Sequence, residues 1–304
     1  MSTEVWTWVW PWWSSVVVIT TVNLSIGISI FWKSKHTNHG ELNSYHKKMR
    51  IAGIVFVGVA FYRSIFVSNY LLQLAWFDTI LNSTLLIRFF ATFAELAFAY
   101  LIMSSMLQLN KELPSKVKRK PGFKCFFENK APYLFFVFLA SAQVFAYGGA
   151  ISKVDLLFAI EETFWGLAFL SITPLAIIQF RRVRAITDIS KESLKVYKIF
   201  TLVIMVFCIG YGSYSLFYHL PIEYWPAAIE QLQVGNPDPA FRWGFSAIKD
   251  TFLTVNVTRD YDTWGGMGFV IWHSGYFTLC GWMVLFFMSG PKLINEKKQL
   301  QSKI

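Results

Sequence analysis

Apolar runs of about 17–25 residues recur along this 304-residue chain, separated by short clusters of charge. A hydrocarbon core offers the backbone no water. Every N–H and C=O must therefore find its partner within the protein, and a helix of that length does so while it crosses. Seven such runs are read: Ser14–Trp32, Ile51–Tyr70, Leu85–Leu107, Tyr133–Ile151, Leu156–Phe180, Tyr197–His219 and Gly266–Ser289. They predict an all-α, polytopic membrane helical bundle of seven transmembrane helices. No Ser-, Gly- or Pro-rich linker divides the chain, so residues 1–304 are expected to form a single membrane domain. Charged residues make up only 15% of it, against about 25% in soluble domains.

Lysine and arginine set the predicted orientation, because they accumulate on the cytosolic side. The connections after the first, third and fifth runs, together with the tail 290–304, hold 22 basic residues. The opposite side holds four, Lys153, Arg242, Lys249 and Arg259. This alternation puts the N-terminus outside and the C-terminus in the cytosol. The net charge of +10 then reflects anionic inner-leaflet lipid rather than nucleic acid. The expected partners are membrane lipids, an amphiphilic ligand and other membrane proteins. Sequons at Asn82 and Asn256 fall on the predicted outer side, in keeping with a plasma or secretory-pathway membrane.

Residues 1–13 carry Trp6, Trp8, Trp10, Trp12 and Trp13, and tryptophan favours the membrane–water interface. Glu4 and the lack of a basic n-region favour a retained helix over a signal peptide. The cysteines Cys125, Cys208 and Cys280 lie outside the predicted outer segments and form no CxxC, so neither a disulfide framework nor a zinc site is expected. Nucleotide-binding and nucleophile-elbow motifs are absent, and no metal or cofactor is expected.

The single long connection, 220–265, contains a helix signal. Asp238 can cap, Pro239 suits the first turn, and Phe241, Phe245, Ile248 and Phe252 follow at helical spacing, with Arg242, Lys249 and Asp250 off the stripe. An amphipathic helix is expected at the outer surface, packed on the bundle mouth or covering it.

Ionisable groups inside the runs are costly and need a partner or a use. Arg63, Arg88, Glu95, Glu161, Glu162, His219 and His273 all fall in the predicted outer half, beside a polar-aromatic stripe of Tyr211, Tyr214 and Tyr218. The inner halves show no comparable set. Arg63 and Glu95 are expected to form an ion pair, and the whole set is expected to line a pocket opening outward.

That pattern suggests a membrane-embedded enzyme handling a lipid or other amphiphile by acid–base chemistry. Glu161, Glu162 and His273 would be catalytic, and the remaining seven residues, Arg63, Arg88, Glu95, Tyr211, Tyr214, Tyr218 and His219, would bind the ligand. A receptor or sensor is the first alternative, but the third run ends on Met106-Leu107-Gln108, the seventh has no Asn-Pro-x-x-Tyr, and no lysine there could hold retinal. A transporter is the second alternative, although no internal repeat is visible. An accessory subunit of a larger membrane complex is the third.

Overall fold

The computed structural model describes residues 6–33, 43–69, 73–113, 123–186, 191–234 and 244–289. The expected helix start at Asp238 and Pro239, Phe241 and Arg242, the tail, and the side chains of Trp6, Trp8 and Cys125 lie outside the described residues.

Five long helices come first: α1 (Trp6–Lys33), α2 (Asn43–Ile65), α3 (Thr84–Glu112), α4 (Phe123–Ser152) and α5 (Asp155–Arg184). Next, α6 (Lys191–Tyr214) runs through a π-helical segment, Ser215–Tyr224, into α7 (Trp225–Val234). After α8 (Gly244–Leu253), α9 (Gly266–Gly275) continues through a second π-helical segment, Tyr276–Cys280, into α10 (Gly281–Met288). Six of these stretches are long and apolar enough to cross a membrane: Val9–Lys33, Thr84–Glu112, Glu128–Ser152, Asp155–Arg184, Leu194–Val234 and Gly266–Met288. The chain is a multi-pass, all-helical integral membrane protein. The helix at the second predicted span, α2, lacks a sufficiently apolar window, because His46, Lys47, Lys48, Arg50 and Arg63 interrupt it. It still packs lengthwise on α1 and α3 and touches α10.

Successive helices are neighbours from α1 to α6, and α10 closes back onto α1, α2 and α3. Large, lipid-facing apolar side chains such as Val18, Val144, Leu170 and Phe217 cover the outside. The interior is filled largely by aromatic and small residues. Phe169, fully buried on α5, meets Phe135, Phe207 and Tyr211 at ring-centroid distances of 5.2, 5.5 and 4.6 Å.

One end of the bundle carries three two-residue strands, β1 (Ser68–Asn69), β2 (Leu74–Ala75) and β3 (Asn256–Val257). β2 pairs antiparallel with β1 and parallel with β3, which ties the long connection to the turn after α2. The helix at the second predicted span therefore ends earlier than expected, at Ile65 rather than Tyr70. It stops there because the Val67 carbonyl is drawn into hydrogen bonds from Trp76 N and Asn82 Nδ2. That bond also buries Asn82, so of the two sequons only Asn256 presents an exposed side chain. At this sheet end Trp10, Trp12 and Trp13 do not form a loose interfacial belt. Trp10 and Trp12 lie edge-on to buried Trp76, and Trp76 packs on buried Trp264. Hydrogen bonds from Thr263 fix the turn into α9 and hold the Asp260 carboxyl below its ordinary range.

The amphipathic helix expected in the long connection is present as α8, packed against α3 and α4. Its buried face is Ala247 and Thr251, however, and Phe245 and Ile248 of the apolar stripe point away from the bundle, 81% and 41% exposed. Small residues let the backbone of α8 approach closely, while the large ones face where lipid would be.

The α4–α5 hairpin depends on a close approach. A Cβ on Gly149 would lie 2.7–2.9 Å from the ring of Phe158, which is buried and has no room to swing away. Gly149→Val is expected to destabilise the purified protein by roughly 1–3 kcal/mol, the usual cost of overpacking. A melting curve in detergent tests it, with Gly210→Val, where a Cβ meets nothing within 4 Å, as the comparison.

Candidate functional site: a buried arginine–carboxylate centre and an imidazole between two acids

Arg88 lies one turn into α3 and is 2% exposed. Glu95 is two turns further on the same face. Gln143 approaches from α4 and Glu161 from α5. The Arg88 guanidinium donates to Glu161 Oε1 at 3.0 Å, to Gln143 Oε1 at 2.8 Å and to both Glu95 oxygens at 3.3–3.4 Å. The Gln143 amide donates to Glu95 Oε2 at 2.9 Å, and the Thr92 hydroxyl donates to Gln143 Oε1 at 3.1 Å. Arginine suits this position because its planar fork serves several acceptors at once. The Glu161 Oε2 atom is buried without a hydrogen-bond partner.

Glu162 points to the other side of α5, towards the π-helical segment. His219 Nδ1 stands 3.7 Å from Glu162 Oε2, beyond hydrogen-bond reach, and His219 Nε2 meets Glu223 Oε2 at 2.9 Å. Both nitrogens of one imidazole thus face a carboxylate. Glu162 is buried, His219 is mostly enclosed, and the Glu223 side chain is 47% exposed. The chain of groups therefore leads from the protein surface to the flank of the arginine centre. Tyr214 stacks on Tyr218 and tilts against His219, and both tyrosines are exposed on the bundle flank. The Ser215 hydroxyl is buried beside Gly166 with no partner.

Pro221 accounts for the π geometry. A proline within a helix removes a hydrogen bond and crowds the preceding turn, and a widened turn relieves this without ending the helix. The sequence reading closed its sixth span at His219. Glu223 was thereby assigned to a loop, whereas the continued helix places it one turn beyond His219. Gln143 and Thr92 were also missed. Uncharged residues on an apolar helix carry no cost signal, and only the packing of α3 on α4 shows them facing Arg88.

Three expectations are corrected. The predicted Arg63–Glu95 pair does not form, because Glu95 is already taken by Arg88 and Gln143. Arg63 lies instead over the rings of Tyr276 and Phe277, 5.4 and 5.9 Å from their centroids. His273 is likewise apart from the glutamates, enclosed by Trp12, Phe269 and Phe277 at centroid distances of 4.4–5.2 Å. Tyr211 belongs to the Phe169 core rather than to the lip formed by Tyr214 and Tyr218.

The interior near the opposite, basic end is also more polar than expected. Tyr197 donates to Glu112 at 2.8 Å, Gln179 donates to Asn110 at 2.9 Å, and Arg182 holds both oxygens of Glu128 at 2.8–2.9 Å. Between the two polar layers α3 buries Ala97, Phe98, Ala99, Leu101, Ile102 and Met103. Glu95 and Ser105 are ten residues apart, which is about 15 Å of helix. Among the described residues no buried charged group bridges that slab.

Among the described residues no three His, Cys, Asp or Glu side chains gather as a metal site. A cleft between Trp12, Trp76, Arg259 and Trp264 has a free volume of about 10 Å³, enough for a water molecule at most. His219 borders the exposed Tyr214 on the bundle flank. Comparison with protein-family models, with curated proteins and with solved structures gave no match, so the functional reading rests on the residues of this chain.

Proposed function

We propose that the chain is a seven-helix membrane protein with α2 as its second span, the N-terminus outside and the tail in the cytosol. In this reading the protein is a membrane-embedded enzyme that acts on a lipid or other amphiphile at the outer or lumenal face by acid–base chemistry. The observation that carries the reading is the imidazole of His219 set between Glu162 and Glu223 under a flank of exposed tyrosines. An amphiphile in the adjacent leaflet reaches such a site sideways. Glu162 takes or gives the proton at the reacting group, His219 passes it between its two nitrogens once its Nδ1 closes the 3.7 Å gap to Glu162, and Glu223 exchanges it with water. Glu161 and Glu95, bound to Arg88, hold α5 in register rather than react. The apolar slab on α3 supports a site worked from one side, and it speaks against an ion path through the bundle.

Proteoliposomes made from a total lipid extract test this. Mass spectrometry should find a lipid species converted by the native chain. Glu162→Gln and His219→Gln should each slow that conversion by roughly 10²–10⁴-fold without lowering the melting temperature. If no lipid changes, or if both variants convert it as fast as the native chain, the enzyme reading fails. Orientation is tested in a Cys125→Ser background, since Cys208 and Cys280 are buried. An impermeant maleimide should label Thr254→Cys on sealed membranes and Lys191→Cys only after permeabilisation.

A second reading, an accessory subunit whose polar centre serves packing, is favoured by one observation. Arg88 binds both Glu95 and Glu161, and Gln143 bridges Arg88 and Glu95. Stable co-purification with other membrane proteins, lost in Arg88 variants and intact in Glu162→Gln, would select it.

A further inference from the structure

We propose that Arg63, Tyr276 and His273 form an oxyanion-binding site, distinct from the Glu162–His219–Glu223 chain and independent of the acid–base reading. Its ligand is a phosphate-type oxyanion, either the head of an anionic lipid or free phosphate.

Arg63 is 7% exposed, donates no hydrogen bond to any described residue, and has no described carboxylate within ion-pair distance. The Arg63 Cζ lies over the rings of Tyr276 and Phe277. Neither ring offers a lone pair to the guanidinium N–H donors, which have no oxygen or nitrogen acceptor among the described residues. A buried cation without a counter-charge is costly to keep, and the acid at its depth, Glu95, is already committed to Arg88. Two buried polar atoms of the neighbouring helical stretch, Tyr276 Oη and His273 Nδ1, have no hydrogen-bond partner among the described residues. His273 and Tyr276 are three residues apart on one helical stretch and therefore share a face. Phe277 joins the set, since its ring meets His273 at a centroid distance of 4.4 Å and lies under Arg63. The Arg63 charge acts electrostatically on both His273 and Tyr276. A guanidinium fork, a phenol and an imidazole N–H are all donors, and what they lack in common is an acceptor bearing negative charge. A metal ion would be repelled by Arg63. An oxyanion satisfies all three, and the surrounding rings of Trp12, Phe56 and Phe269 suit an apolar tail.

The test uses the full chain in detergent and native mass spectrometry with three probes: phosphatidic acid, phosphatidylcholine of the same acyl chains, and inorganic phosphate. The native chain should retain one phosphatidic acid in preference to phosphatidylcholine. Arg63→Gln should weaken that retention at least about tenfold, and Tyr276→Phe, which keeps the ring, by roughly three- to tenfold. Arg259→Gln should leave it unchanged. Binding of inorganic phosphate with the same dependence on Arg63 and Tyr276 identifies a soluble oxyanion as the source, and dependence with the lipid alone identifies a headgroup. Equal retention of both lipids, equal retention in all variants, or no binding of either lipid or phosphate overturns the proposal. Where Arg63→Gln fails to fold, Tyr276→Phe decides alone.

Discussion

Arg88→Met is expected to be the most damaging single substitution in the bundle. The guanidinium is 2% exposed and is the shared donor for Glu95, Glu161 and Gln143. Methionine fills much of its volume, so the loss is chiefly electrostatic. It leaves two carboxylates facing each other in a medium that solvates neither. Breaking a buried pair on one side typically costs about 3–5 kcal/mol, because the uncompensated partner stays buried. At this chain length that lowers the melting temperature by roughly 6–20 °C, if folded protein is recovered at all. The triple variant Arg88→Met, Glu95→Gln, Glu161→Gln should recover most of the loss, since removing all the charges leaves only amides that can bond to Gln143. Thermal unfolding in detergent, followed by the monodisperse fraction, checks both. If Arg88→Met melts within about 2 °C of the native chain, or if the triple variant is no better than the single one, the centre does not hold the helices together in the way the geometry indicates.

The second large effect is expected at Phe169. Its side chain is fully buried and packs on Phe135 of α4 and on Phe207 and Tyr211 of α6. Phe169→Ala opens a cavity bounded by aromatic rings, which relax poorly because each is held by others. A loss of about 3–5 kcal/mol is expected, the range for deleting a buried aromatic. Phe217→Ala provides the contrast. That ring is 78% exposed on the bundle flank, where acyl chains replace its contacts, and the change should be nearly neutral in bilayer. Urea or thermal unfolding of both variants in the same lipid nanodiscs makes the comparison. Equal stability of the two would mean that packing between α4, α5 and α6 is not what Phe169 contributes. Because lipid tails are as apolar as the core, dispersion and fit must supply helix association here, and a cavity forfeits both.

Much of the candidate site could be read along the chain, because the cost of burying charge marks it. Arg88, Glu95, Glu161, Glu162 and His219 stood out as ionisable residues in or beside apolar runs, and they gather in two groups, Arg88 with Glu95 and Glu161, and Glu162 with His219. Which of them pair could not be read in the same way. Arg63 and Glu95 lie at similar depth on successive helices, yet Glu95 turns to Arg88 on its own helix. A choice between partners depends on the rotation of each helix about its axis, and several neighbours set that rotation together. Glu223 was hidden because the apolar run ends at His219, whereas the π-helical segment carries the helix past it to Tyr224. The polar layer at the basic end was hidden for another reason: Glu112 and Glu128 were counted as loop residues, although α3 and α4 extend to include them.

By itself the sequence determined that this protein is a helical bundle in a membrane. Runs of bilayer-spanning length leave the backbone no other way to satisfy its hydrogen bonds, and basic residues between them are consistent with the spacing of the helices. The tertiary structure alone decided that Arg88 gathers two glutamates, that His219 sits between two more, and that Arg63 has no acid as partner among the described residues. Those arrangements follow from helix rotation, from a π-turn at Pro221 and from the close approach of small residues. None of these leaves a mark in hydropathy or charge, since each is a relation between segments rather than a property of one.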